Sequence, residues 1–194
     1  WPILMIQLSL SEIANQLGGQ LVGDDCVIDS VCTDSRTLKS NELFIALKGP
    51  NFNAHSFIAN AKDIGASGAI VEVLQEVDLP QIVVEDTKAA LGALGAYVKQ
   101  TLMPKTVAIT GSSGKTTVKE MVTAILSRLG NVLATKGNFN NDIGVPLTLL
   151  RLEPEHTFAV IELGANHLGE IAYTTQLTKP DVAVINNIAA SHLE

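Results

Sequence analysis

The densest chemical signal in the chain is the run Thr110-Gly111-Ser112-Ser113-Gly114-Lys115-Thr116-Thr117. Gly111 and Gly114 allow a sharp turn that points backbone N–H groups into one concavity. Ser112, Ser113 and Thr117 fill out that turn, and a helix opening at Lys115 adds its positive dipole end. Lys115 supplies a point charge for β- and γ-phosphates, and Thr116 a hydroxyl for Mg²⁺. The general phosphate loop wants glycine, sometimes alanine, five residues before the second glycine, and Ile109 stands there. The spacing is therefore the compact G-x-x-G-K-T-T. A Gly/Ser turn with an incidental lysine is the competing reading. The apolar strand before the run and the amphipathic helix after it favour the phosphate loop.

Other residues could work beside it. Glu162 ends an apolar run, Phe158 to Ile161, where a buried carboxylate is costly without a cation. Its bland reading is a solvent-facing strand end. Asn138, Asn140 and Asn141 form an amide-rich loop ahead of a helix, a composition that also suits capping and turns. Asn166 and His167 have the same ambiguity. His192 follows an apolar strand, and a lone histidine is more often structural or solvated than a ligand. Ser35 and Arg36 lie in a polar loop, and His55 could cap its own helix.

These residues need elements to hold them. From Thr106 onward strands and helices alternate: Val107 to Ile109 extended, Lys115 to Leu129 helical, Val132 to Ala134 extended, Ile143 to Leu152 helical, Phe158 to Leu163 extended, Glu170 to Leu177 helical, Val182 to Ile185 extended. Such alternation predicts a parallel sheet covered on both faces. The first long helix should bury Val118, Met121, Val122, Ile125, Leu126 and Leu129 along one face. Upstream the elements are shorter and mixed. Ser9-x-x-Glu12 is a capping box, with Leu10, Ile13, Ala14 and Leu17 inward and Gly18-Gly19 as the stop. Leu43 to Leu47, Ala69 to Val73 and Gln81 to Val84 read as strands; Ser56 opens a helix with Phe57, Ile58, Ala61 and Ile64 inward, stopped by Gly65. The predicted class is α/β: a small mixed α/β domain over 1–86, a connecting helix and linker over 87–104, and the first half of a phosphate-loop parallel-sheet ATP-binding domain over 105–194.

Composition narrows the function classes. Hydrophobic residues make up 46% and aromatics 4%, so the core must be built from Ala, Val, Ile and Leu. A net charge of -7 argues against nucleic acid as the main partner, yet leaves room for a local phosphate site built from amides and one lysine. Cys26 and Cys32 lack C-x-x-C spacing and read as reduced thiols, which fits a cytoplasmic setting. No run reaches the ~18 apolar residues of a membrane span. Residues 1–8 are apolar but lack the basic start of a signal peptide, and Met5 could be the natural initiator.

Several segments together resemble the Mur ligase family of ATP-dependent amide ligases. T-G-S-S-G-K-T-T is similar to the family's compact ATP loop, and Gly137 to Thr148 resembles its N-x-N-N-x-I-G-x-P segment. Glu162-Leu163-Gly164-Ala165-Asn166-His167-Leu168-Gly169-Glu170-Ile171, and Asn186-Asn187-Ile188 with His192-Leu193-Glu194, resemble the branch that adds D-alanyl-D-alanine. Asp34-Ser35-Arg36, Leu43-Phe44, Ala46 to Gly49 and His55-x-Phe57 look like its UDP-binding domain. Asn41-Glu42 and Asn53-Ala54 depart from the Gly-Asp and Asp-Gly usual there.

The resemblance implies ATP and Mg²⁺ as cofactors, and UDP-N-acetylmuramoyl-tripeptide and D-alanyl-D-alanine as substrates of a monomer. It implies Lys115 on the phosphates, Thr116, Glu162 and His192 as metal ligands, and Ser35, Arg36, Lys48 and His55 toward the UDP end. It gives Asn138, Asn140, Asn141, Asn166 and His167 contacts to the nucleotide sugar or peptide. The family's carbamylated lysine and its amine-binding domain would lie beyond Glu194, so the chain alone is expected to catalyse nothing. Three rivals remain in view. One is the preceding Mur ligase, which adds the third stem-peptide residue, although Ser112-Ser113 and E-L-G-A-N-H favour the dipeptide-adding branch. Another is a phosphate-loop kinase or GTPase, against which the missing N-K-x-D counts. The last is a UDP-sugar-binding module without catalysis.

Overall fold

Local start and stop signals set the first elements. Ser9 closes β1 (Ile3–Ser9) and caps α1 (Leu10–Leu17), its hydroxyl accepting the Glu12 N–H at 3.1 Å. Gly18 ends that helix in the left-handed region, φ 62. There follow β2 (Gln20–Val22), β3 (Val27–Cys32), β4 (Leu43–Ile45) and the short pair β5 (Lys48–Gly49) and β6 (Phe52–Asn53). A 3₁₀ turn (Ala54–Phe57), α2 (Ile58–Ile64), β7 (Gly68–Val71), β8 (Gln81–Val83) and α3 (Thr87–Leu102) complete the first part. The computed structural model describes residues 3–189.

The first compact unit runs to Leu94 and the second starts at Gly95, a division that falls inside α3. In the first unit six strands form one sheet in the order β1-β3-β4-β7-β8-β2. Its middle is parallel, while β1 on β3 and β2 on β8 are antiparallel edges. Leu43, Phe44 and Ile45 of β4 are fully buried, and Phe44 packs in one cluster with Ile58, Ala61, Ala69 and Val71. The apolar start is a sheet strand, and β2 and β3, absent from the sequence reading, each supply one strand of the sheet's two antiparallel pairs. One expectation needs correcting. Phe57 is exposed: the chain enters α2 through the 3₁₀ turn, which rotates Phe57 off the face shared by Ile58 and Ala61.

The second unit holds β9 (Lys105–Thr110), α4 (Lys115–Leu126), β10 (Asn131–Ala134), α5 (Gly144–Leu150), β11 (His156–Glu162), α6 (Glu170–Thr178) and β12 (Val182–Ile185). Its four strands are all parallel, in the order β10-β11-β9-β12. The connection from β9 to β10 runs one way along the sheet, and the next two run the other way. Right-handed crossovers therefore carry α4 over one face and α5 and α6 over the other. Adjacent strands β9 and β11 send their chains to opposite faces, which opens a crevice at their carboxyl ends. The stripe of α4 that faces the sheet differs from expectation. Lys119 is its buried residue, Val118, Val122 and Leu126 flank it half-buried, and Met121, Ile125 and Leu129 are exposed. A helix lying on a sheet covers only a narrow stripe, so the outer part of a broad apolar face stays uncovered.

Candidate functional site

Register brings the chemistry to one edge. Glu162 pairs with Ile109, and Ile185 with Thr110, so three strands end side by side. The Thr110 hydroxyl donates to the Leu163 carbonyl at 2.8 Å, and the Leu163 N–H donates to the Ile109 carbonyl at 2.8 Å. The loop Gly111–Gly114 leaves this frame with φ 145 at Gly111 and φ 73 at Gly114. Gly114 caps α4 with no side-chain acceptor, which leaves the first-turn N–H groups turned toward the loop. Lys115 folds back and donates from Nζ to the Gly111 carbonyl at 2.6 Å.

Asn186 and Asn187, directly after β12, grip this loop. Ser113 donates its N–H to Asn187 Oδ1 at 3.0 Å, and its carbonyl accepts from Asn186 Nδ2 at 2.8 Å and Asn187 Nδ2 at 3.0 Å. Ser112 donates its N–H to the Asn187 carbonyl at 3.1 Å, and its hydroxyl accepts the Ala189 N–H at 2.8 Å. A Cβ at Gly111 would stand 3.1 Å from Asn187 N, and one at Gly114 2.8 Å from Asn186 Nδ2. The glycines are thus required by the asparagine clamp as well as by the turn. The sequence reading placed these asparagines in a motif but gave them no role.

Glu162 is 3% exposed. Its carboxylate accepts the Thr116 hydroxyl at 3.2 Å and Asn140 Nδ2 at 3.0 Å. Both are neutral donors, so the buried negative charge is not balanced by either of them. The carboxylate beside the Thr116 hydroxyl offers oxygen donors suited to a hard divalent cation, and Mg²⁺ fits them, while Asn140 Nδ2 holds the carboxylate from the other side. Among the described residues no cluster of three or more His, Cys, Asp and Glu side chains could hold a metal, so the set relies on the Thr116 hydroxyl. His192, the third expected ligand, lies outside the described residues.

The asparagine loop divides in its roles. Asn140 reaches Glu162 and accepts the Gly164 N–H on its carbonyl at 2.7 Å. Asn141 leads into α5, its Oδ1 accepting the Gly144 N–H at 2.7 Å. Asn138 is exposed. Asn166 and His167 present exposed side chains while their N–H groups donate to Glu170 Oε2 at 2.7 and 3.2 Å.

In the first unit, Lys48, Asn53, His55, Ser56, Glu72 and Gln75 line a concavity of about 290 Å³. Lys48 pairs with Glu72, which also accepts the Thr87 N–H at 3.2 Å. The His55 ring is engaged on both sides, with Asn53 Oδ1 at 2.7 Å from Nδ1 and the Glu72 N–H donating to Nε2 at 2.8 Å. Ser35 and Arg36 do not line this concavity. Arg36 forks onto Asp34, Nε to Oδ1 at 2.9 Å and Nη2 to Oδ2 at 2.7 Å, and so holds that carboxyl down to about 2. Burial pushes the His55 imidazole below its ordinary value. A buried neutral ring favours the fold above its unfolded value of ~6.5, and that stability is lost as pH falls through the lowered folded value. Urea midpoints should therefore fall between pH 7.5 and 5, and His55→Gln should flatten part of the decline. His156, lowered by burial as well, keeps the remainder. Equal slopes for both proteins would refute this assignment.

The chain matches known proteins along almost its whole length. The family described as the Mur ligase middle domain matches residues 109–194. The UDP-N-acetylmuramoyl-tripeptide–D-alanyl-D-alanine ligase of Escherichia coli is 55% identical over 98% of this chain and 42% of its own length. The crystal structure of MurF from Acinetobacter baumannii superimposes with a TM-score of 0.94 at 46% identity, covering 97% of this chain and 43% of that one. The MurF ligase of Thermotoga maritima, solved with ADP, gives a TM-score of 0.78 at 33% identity over 84% of this chain and 38% of its own. The chain thus spans about two fifths of the length of these relatives.

Proposed function

We propose that the chain is part of a Mur ligase, and that it serves an ATP-dependent ligase joining D-alanyl-D-alanine to UDP-N-acetylmuramoyl-tripeptide. The observation that carries this reading is the convergence of Lys115, Thr116, Asn140 and Glu162 on one crevice at the carboxyl edge of the parallel sheet. In the proposed reaction the tripeptide's terminal carboxylate attacks the γ-phosphorus of ATP, releasing ADP and leaving an acyl phosphate. The dipeptide amine then attacks the acyl carbon and expels phosphate. Positioning and charge neutralisation are the protein's task.

Lys115 turns from the Gly111 carbonyl to the β- and γ-phosphates, and the free N–H groups at the start of α4 hold the same oxygens. Ser112 and Ser113, fixed by Asn187, and Thr117 shape the loop around them. Thr116, Glu162 and, beyond the described residues, His192 would hold Mg²⁺, which supplies charge neutralisation between the carboxylate and the triphosphate. Asn140 orients the Glu162 carboxylate. Asn138, Asn141, Asn166 and His167 belong to loops on the same edge, and we assign them to the muramoyl-peptide side. Ser35, Arg36, Lys48 and His55 are assigned to the UDP end, with residues 1–86 as the UDP-binding part, 87–104 as connector and 105–194 as the ATP-binding part. Among the described residues no helix is long and apolar enough to cross a membrane. A cytoplasmic, monomeric setting completes the reading.

Calorimetric titration of the chain with UDP-N-acetylmuramoyl-tripeptide, with UDP-glucose as control, tests it. Selective binding of the muramoyl ligand is expected. Absence of binding by a chain shown to be folded by circular dichroism would overturn the substrate assignment.

A further inference from the structure

A lysine occupies the place on α4 where an apolar residue would ordinarily meet the sheet. Lys119 is 3% exposed, one turn beyond Lys115 on the same helix face. Burying an ammonium is costly unless its donors are used. Lys119 Nζ donates to the Thr135 carbonyl at 2.7 Å and meets Glu120 Oε1 at 3.1 Å. Glu120 is largely exposed, so the Thr135 carbonyl is the partner that draws the charge inward.

Thr135 is held in three ways. Its N–H donates to the Val160 carbonyl at 3.0 Å, its carbonyl accepts from Lys119, and its hydroxyl accepts the Glu162 N–H at 2.9 Å. It is 2% exposed and directly follows β10. Thr135 also opens the segment that reaches Asn140, which bonds the Glu162 carboxylate. Both the backbone and the side chain of Glu162 are therefore set by a segment whose first residue Lys119 anchors.

We propose that Lys119 is a positioning residue: through Thr135 it fixes Glu162, and with it the cation site shared with Thr116. This rests on the reading of Glu162 as a metal ligand. Lys119 touches neither nucleotide nor cation in this account. It ties the helix that carries Lys115 and Thr116 to the strand end that carries the carboxylate, so that hydroxyl and carboxylate keep their separation. The arrangement differs from ordinary core packing in one testable respect, because its loss should be felt in the metal-dependent part of nucleotide binding and not in the metal-free part. Residues that orient metal ligands from behind commonly change metal affinity by about 10- to 100-fold.

The experiment measures the affinity of the chain for a fluorescent ADP, methylanthraniloyl-ADP, in Mg²⁺ and again in EDTA. Four variants are compared: Lys119→Met, Thr135→Val, Thr135→Ser and Glu162→Gln. Thermal melts monitored by circular dichroism accompany each. The expected result is that Lys119→Met and Thr135→Val lose about tenfold of the Mg²⁺-dependent gain, while affinity in EDTA stays within about twofold of the parent. Thr135→Ser, which keeps the hydroxyl, should retain the gain. Thr135→Val is close to isosteric and keeps the test open if Lys119→Met fails to fold.

Three outcomes overturn the proposal. If Glu162→Gln loses the Mg²⁺ gain but Lys119→Met and Thr135→Val keep it, the positioning role is wrong and the metal reading stands. If affinity in EDTA falls in parallel with affinity in Mg²⁺, Lys119 is a packing residue only. If Glu162→Gln keeps the full gain, or the parent chain has none, the metal reading fails first and this inference goes with it.

Discussion

Lys115→Ala should weaken binding of Mg²⁺·ADP by about 10- to 100-fold, the value of one charge-assisted bond at about 1.5–3 kcal/mol. In this structure the ammonium donates to the Gly111 carbonyl 2.6 Å away within its own loop. Moving it to a phosphate exchanges a neutral acceptor for an anionic one, so the gain appears only when nucleotide is present. Thermal stability without nucleotide should therefore change little. Lys115→Arg should not restore binding, because the planar guanidinium cannot follow the tight turn that Gly111 and Gly114 impose. Calorimetry with ADP and Mg²⁺ decides the matter. Affinity of the alanine variant within twofold of the parent would remove Lys115 from the phosphate site.

Gly144→Ala is expected to be the most destabilising small substitution in the second unit. A Cβ there would fall on the Cα of Phe139 and within 2.9 Å of its carbonyl oxygen. Backbone cannot swing aside as a side-chain tip can, so the 136–142 loop must move. Overpacking of this kind costs about 1–3 kcal/mol, and more where relaxation is blocked. The Gly144 N–H also anchors the loop through Asn141 Oδ1 at 2.7 Å. Displacement should consequently draw Asn140 away from Glu162, and lower both the urea midpoint and the Mg²⁺ dependence of nucleotide binding. An unchanged urea midpoint would mean that the loop is looser than its packing indicates.

Legibility in the sequence followed the range of the interactions. The turn of the glycine loop was readable because its geometry is made within eight residues, Thr110 to Thr117, and the start of α4 follows from it. The capping of α1 by Ser9 and the stops at Gly18 and Gly65 are likewise local. The Glu162 carboxylate was suspected from the apolar run before it, a signal of burial. What was not readable spans distance. The clamp of Asn187 on Ser113 joins residues 74 apart, and the bond from Lys119 to Thr135 depends on how a helix lies over a sheet. Lys119 was passed over because one charged residue among apolar neighbours reads as a solvated position. The strands β1, β2 and β3 escaped for a related reason: short runs are settled by pairing partners, which composition does not specify.

The four strands of the second unit each contribute one terminus to the crevice: Thr110, Thr135, Glu162 and Asn186 stand at or just beyond their ends. No subset of two strands builds the site. Its assembly and the closing of the parallel sheet are consequently a single cooperative event, and one delayed by long loop closures, since each strand must wait for a crossover helix before it can pair. A nucleotide bound where these termini meet would favour the closed sheet over every partly paired form. The groups proposed to hold phosphate would then act as a checkpoint on folding.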